Sequence, residues 1–352
     1  MSDSAKSDRS ATPREEARSG SASSVPFPEE TISTETRPTD GLQKRNGGRL
    51  LGDWTFRLTA TGSGAFVVVL IAAIGLFLVL QAIPALRSDH VNFLLSGVWQ
   101  VDALRFGILY LLWVTIATSI LALLLAMPIS FGIALFLTQY APRGLARPFA
   151  YIVDLLAAVP SIIFGLWGIQ VLGPYLVPIA VWLHDNLGFI PLFGNGSVGP
   201  TSKGNIFVAG VVLSVMILPT ITGITREVFS RTPPDQIEGA LALGATKWEM
   251  VRTTVLPFGR SGYISAVLLG LGRALGETVA LYLILSGTQA APGLSLFDGG
   301  ATIASKIAAD YPEFNSPTSA GAYIAAGLVL FVLTFVVNAI GRAIAGRSKE
   351  KA

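Results

Sequence analysis

The sequence predicts an all-α, polytopic membrane protein with about six transmembrane helices and both termini cytoplasmic, and three observations carry that expectation. Of 352 residues, 51% are hydrophobic and only 13% charged, whereas a soluble domain carries about 25% charged residues. The apolar residues gather in six long runs, near 57–86, 106–138, 150–183, 206–226, 261–287 and 319–346. Each run meets the roughly 20 residues a helix needs to cross a hydrocarbon core about 30 Å thick. Finally, if the termini lie inside, 20 of the 25 Lys and Arg fall in inner segments, against four outside: Arg87, Arg105, Lys203 and Lys306. Cytoplasmic loops are enriched in Lys and Arg, so this asymmetry orients the chain.

Residues 1–50 are rich in Ser, Thr, Pro, Glu and basic residues and poor in bulky apolar ones. They cannot bury enough surface to offset the entropy of ordering and are predicted to form a disordered cytoplasmic tail. The first apolar run starts too late, near Phe56, and is too long for a cleavable signal peptide. Residues 51–352 form the transmembrane domain. Its third run is interrupted by Pro160, Gly165, Gly168, Gly173, Pro174 and Pro178, which suits one broken helix, or a kinked helix followed by a re-entrant or surface segment. Asp154 falls a few residues into that run, at an interfacial depth that suggests no role.

The fourth run ends ILPTITGITREVF. Arg226 there either marks the boundary by snorkelling or lines the inner mouth of a transport route. In the fifth run, Arg273 follows Arg260 by 13 residues, about 20 Å along a helix at 1.5 Å per residue, near mid-bilayer. An unpaired charge at that depth costs about 2.5–3.5 kcal/mol on insertion scales and must face protein or water. Glu277 follows four residues later, on the same face of a continuous helix. The two therefore form either a self-contained structural pair or a lining for an anion, with Glu277 holding the guanidinium or accepting a proton from the cargo. Gly270, Gly272 and Gly276 beside them suit close helix packing. The outer segments, about 184–205 and 288–318, either receive a soluble partner or merely connect spans, and the second has a possible short helix around Thr302–Asp310.

Between the fourth and fifth runs lies a loop, about 231–259, that is not itself a span. Pro233, Pro234 and Asp235 suit a helix start. Ile237, Ala240, Leu241 and Leu243 can form an apolar face, Gly244 and Ala245 allow a turn, and Thr246 can cap a second helix carrying Trp248, Val251 and Val255 and ending before Pro257. Such a small helix-turn-helix cannot bury its own apolar residues and needs a partner or the rest of the chain.

The composition also excludes several chemistries. With no cysteine there is no disulfide framework, thiolate metal site or thiol nucleophile, and His90 and His184 are too isolated for a metal pair. The chain has no G-x-x-x-x-G-K-[ST] phosphate loop, so it cannot hydrolyse ATP itself. No nucleophile–base constellation marks an enzyme. We expect no bound cofactor, no metal and no nucleic-acid partner.

The loop resembles the EAA loop of ABC importer permeases: Glu238-Gly239-Ala240, then Gly244, then Val255-Leu256-Pro257. Gly239 stands where that pattern has its first alanine, and Thr254 where it has an apolar residue. The longer run from Thr225-Arg226-Glu227-Val228-Phe229 through Gly272-Arg273-Ala274-Leu275-Gly276-Glu277-Thr278 is similar to the phosphate-specific importer permeases of PstC type. LFLTQYAPR, from Leu135, and DLLAAVPSIIFGLWG, from Asp154, add to the likeness, which covers about residues 55–345. It implies a MetI-like multi-pass subunit of the bacterial cytoplasmic membrane that forms half of a phosphate channel. The partners it implies are a PstA-like second permease, two copies of a PstB-like ATPase that binds the ATP, and an extracytoplasmic PstS-like phosphate-binding protein. By the same resemblance Arg226, Arg273 and Glu277 belong to the phosphate route, and Glu238, Gly239, Ala240, Gly244, Thr246 and Pro257 to ATPase coupling. Two alternatives remain at this level. Sulfate or molybdate would be attracted by the same arginine. An ion-coupled secondary transporter would use the charges without an ATPase but leave the loop unexplained.

Overall fold

The computed structural model describes residues 47–100, 103–194, 204–285, 293–314 and 316–349. Of the expected tail, residues 1–46 lie outside the described residues, as does Lys203, while residues 47–50 already belong to the first helix and are not disordered. The chain divides into two compact units at Ser63 and Gly64. The described part of the first is the leading stretch of α1 (Gly47–Ser88), whose side chains from residue 52 onward are exposed. Everything else belongs to the second unit.

Six helical segments are long and apolar enough to cross a membrane: Gly52–Ser88, Leu109–Tyr140, Ser161–Leu187, Ile206–Ser230, Lys247–Leu275 and Pro317–Gly346. They agree with the six apolar runs of the sequence in number and order, but the fifth is displaced: the run 261–287 is broken after Leu275, and its span begins earlier, at Lys247. After α1, a two-residue antiparallel ladder pairs β1 (Trp99–Gln100) with β2 (Arg105–Phe106). Then α2 (Leu109–Leu135) passes into a π turn, Phe136–Tyr140.

The third run differs in its start. Residues Arg143–Ala157 form a separate amphipathic helix, α3, and the spanning rod begins only at Ser161 with α4 (Ser161–Trp167). The break falls where Pro160 cannot donate a backbone hydrogen bond and bars Val159 from helical geometry. Beyond it a π turn, Gly168–Leu172, leads into α5 (Gly173–Leu187), so the later glycines and prolines sit within one helical rod, Ser161–Leu187. Gly165 lets α4 press closely on a neighbour, because a Cβ there would come within 2.9 Å of Ala280 Cα. A short turn, α6 (Pro191–Gly194), follows.

Helix α7 (Ile206–Ser230) starts on Asn205, whose Oδ1 accepts the Val208 N–H at 2.9 Å. This is the most buried of the spans. It packs on α2 and α3, and Val212, Leu213, Ile217 and Ile221 are all fully enclosed in the main core. Next come α8 (Pro234–Ala242), α9 (Lys247–Met250), a π turn Val251–Val255, and α10 (Leu256–Leu275), which packs on α7. α11 (Val279–Leu285) packs on α4. The expected short outer helix is α12 (Ile303–Ala309), opened by a capping box between Thr302 and Ser305. α13 (Pro317–Lys349) closes the chain and packs on α10.

Candidate transport site and coupling loop

Helices α8 and α9 form the expected helix-turn-helix. The turn residue Gly244 has φ +85, a left-handed conformation that glycine adopts without the clash a Cβ creates. Thr246 caps α9 through a full capping box: its Oγ1 accepts the Glu249 N–H, and the Glu249 carboxylate accepts the Thr246 N–H at 2.8 Å. The second helix does not end before Pro257. It continues through the π turn into α10, making one rod from Lys247 to Leu275. Pro257 is tolerated there because it sits in the first turn of α10, just after the π turn has reset the hydrogen-bond pattern.

The apolar residues of this loop divide. Ile237 and Ala240 pack with Met250, Val251 and Val255 against Leu135 and Phe229, tying the motif to the ends of α2 and α7. Leu243 and Trp248 stay exposed, at 91% and 54%. Glu238 and Gly239 are also exposed. The motif is thus half anchored to the bundle and half open to a partner.

Arg273 lies in the last turn of α10, where the unsatisfied carbonyls of a helix end favour a cation. Its Nη1 donates to Thr220 Oγ1 on α7 at 3.2 Å. It opens on a cavity of about 410 Å³ lined also by Leu268, Leu269, Gly272 and Asn338.

Glu277 is not its partner. α10 stops at Leu275, with Gly276 capping it, so the four-residue spacing no longer places the two side chains on one face. Glu277 Oε1 instead accepts the Ala280 N–H at 3.2 Å, at the start of α11, and no ion pair joins it to Arg273 among the described residues. The structural-pair alternative is therefore removed. The glycines divide as well. A Cβ on Gly270 would meet Ile221 at 2.7 Å, so it serves packing, whereas Gly272 has nothing within 4 Å of its Cβ position and leaves the cavity open. An interrupted span whose break adjoins a charge and a cavity is a recurring arrangement at transport sites.

Arg226 neither snorkels freely nor faces that cavity. Its Nη2 meets Asp154 Oδ2 at 3.1 Å, with side-chain exposures of 26% and 53%, and its Nη1 is buried without a partner among the described residues. Asp154 was the residue that sequence reasoning passed over. Once α3 is a separate helix lying on α7, Asp154 becomes the counter-ion of a pathway candidate, 72 positions away in sequence. The local signal was a single acidic residue among the otherwise apolar positions 148–157 of α3. Glu227 bonds Arg231 at 2.8 Å on the exposed face.

A family model described as binding-protein-dependent transport system inner membrane component matches residues 126–350. The chain is 58% identical, over 84% of its length and 92% of the relative's, to a protein of Mycobacterium tuberculosis named phosphate transport system permease protein PstC 2. It is 40% identical to the phosphate transport system permease protein PstC of Xylella fastidiosa, over 87% of this chain and 95% of that one. Among solved structures it is similar to a bacterial ABC transporter involved in the import of the acidic polysaccharide alginate. That likeness has TM-score 0.51 and 17% identity, over 85% of this chain and 99% of the other, and speaks for the fold alone.

Proposed function

The chain belongs to the family of binding-protein-dependent transport system inner membrane components, and from that membership we propose that it is the transmembrane permease subunit of an ATP-driven ABC importer for inorganic phosphate. It is a multi-pass protein of the bacterial cytoplasmic membrane that forms a channel and leaves ATP hydrolysis to a partner. The observation that carries this reading is a guanidinium within a span, opening on a cavity, in a chain 58% identical over most of its length to a permease named for phosphate transport.

In this reading both termini and the helix-turn-helix are cytoplasmic, which agrees with the distribution of Lys and Arg. A PstA-like permease supplies the other half of the pathway, two PstB-like ATPases bind ATP below, and a PstS-like protein delivers phosphate from outside. The exposed Leu243 and Trp248, with Glu238 and Gly239 beside them, meet a groove on the ATPase, while Ala240, Gly244, Thr246 and Pro257 hold the motif in shape. Because α9 and α10 are one rod, displacement of the motif is felt at Arg273 at the rod's far end. Arg273 attracts the anion. Glu277 fixes the start of α11 beside it, and Arg226 with Asp154 stands nearer the cytoplasmic end of α7.

The test is purification from membranes to identify the accompanying proteins, followed by ATP hydrolysis in the reconstituted complex. Stimulation by phosphate with its binding protein, and not by sulfate, is expected. Phosphate transport by this polypeptide alone without nucleotide would overturn the reading.

A further inference from the structure

Building on the phosphate-permease reading, we propose that Thr220 and Asn338 complete an oxyanion-binding station with Arg273, in which the Asn338 side-chain carbonyl accepts a hydrogen bond from the P–OH that phosphate carries and sulfate lacks. The three residues come from α7, α13 and α10 and line one cavity of about 410 Å³, within the roughly 300–1,000 Å³ of small-ligand sites.

The hydrogen-bond roles follow from the bonds already made. Thr220 Oγ1 accepts from Arg273 Nη1 at 3.2 Å; a hydroxyl that accepts from a guanidinium keeps its own hydrogen for another acceptor. Asn338 Nδ2 donates to Thr334 O at 2.9 Å. A backbone carbonyl can only accept, so that end of the amide must be the nitrogen. Oδ1 is therefore turned away from Thr334, and it takes no hydrogen bond among the described residues. The cavity thus offers donors from the guanidinium, the hydroxyl and the remaining amide N–H, together with one amide carbonyl as acceptor. Sulfate presents acceptors alone and would set an oxygen against that carbonyl. Phosphate near neutral pH presents acceptors and a P–OH, and satisfies both.

Glu277, the acceptor expected from the sequence, does not line this cavity, and its Oε1 is engaged by the Ala280 N–H. A neutral acceptor also suits the cargo better, because a second anion at this depth would repel it. Asn338, Leu268 and Leu269 line in addition a groove of about 530 Å³ that runs beside α13 to Arg342. Asn338 therefore stands where two cavities meet and not at a blind end.

The test uses the full complex in proteoliposomes with MgATP and the binding protein, following radiolabelled phosphate uptake against pH. Asn338→Leu and Thr220→Val should each slow uptake about tenfold, as expected for one lost hydrogen bond to a charged ligand, while still co-purifying with their partners. Asn338→Asp should transport best in acid and lose activity more steeply than the wild type as pH rises, since its carboxylate repels the phosphate dianion more than the monoanion. Wild-type uptake in Asn338→Leu, or a wild-type pH profile in Asn338→Asp, overturns the proposal. If Asn338→Leu does not co-purify, the pH profile of Asn338→Asp decides alone. The two readings fail differently. Wild-type vesicles that take up no phosphate refute the permease assignment, whereas loss in Arg273→Gln with normal uptake in Thr220→Val and Asn338→Leu refutes only the station.

Discussion

Arg273 bonds to α7 and Arg226 belongs to it, but their partners set different expectations. Arg273 rests on a neutral hydroxyl, Thr220, so its charge stays available to an anion in the cavity. Arg273→Gln should therefore lower phosphate uptake at least tenfold while the complex still co-purifies; unchanged uptake would return the residue to a structural role. Arg226 is already neutralised by Asp154. With the carboxylate more than half exposed, the pair adds only about 0–1 kcal/mol to stability. Asp154→Asn should accordingly leave the melting temperature nearly unchanged yet alter transport, because Arg226 then lacks its counter-ion beside a buried, unpartnered Nη1. Exchanging the charges, Asp154→Arg with Arg226→Asp, should recover part of the wild-type rate. Equal transport in Asp154→Asn and the wild type would count against any role for the pair.

Among the elements, the loop between α7 and α10 was the most legible from sequence. The Pro-Pro-Asp start, the glycine turn and the Thr246 cap are local chemistry and are found as expected. What could not be read was its continuation past Pro257, since a proline marks either a stop or a first turn, and only the preceding π turn settles which. The start of the third run is illegible for a related reason: apolar content continues across Pro160, and hydropathy does not register that one helix ends and another begins there. Glu238→Lys should abolish phosphate-stimulated ATP hydrolysis while the protein still reaches the membrane, and normal uptake with an intact ATPase would remove Glu238 from the docking surface. Gly244→Val forces a β-branched residue to φ +85, at a cost of about 1–2 kcal/mol. It should weaken coupling and retention of the ATPase on co-purification without altering the six spans, as read by circular dichroism.

At the level of the whole molecule, the tail and the bundle separate cleanly in composition. Removing residues 1–45 should leave uptake within about twofold of the full chain, because the apolar residues that build spans lie beyond them; a complete loss would show that the tail holds an essential contact. Span number, the cation within the fifth run and the local form of the helix-turn-helix were determined by the sequence alone, because run length, charge and turn chemistry are properties of neighbouring residues. Only the tertiary structure decided that Arg273 faces Thr220 and Asn338 and not Glu277, and that Arg226 meets Asp154. The physical reason is that a side chain's partner depends on which helix faces meet and where a helix stops. Gly276 ends α10 one residue before Glu277, and Pro160 releases α3 to lie on α7. Each small local break turns a nearby charge toward a partner distant in the chain.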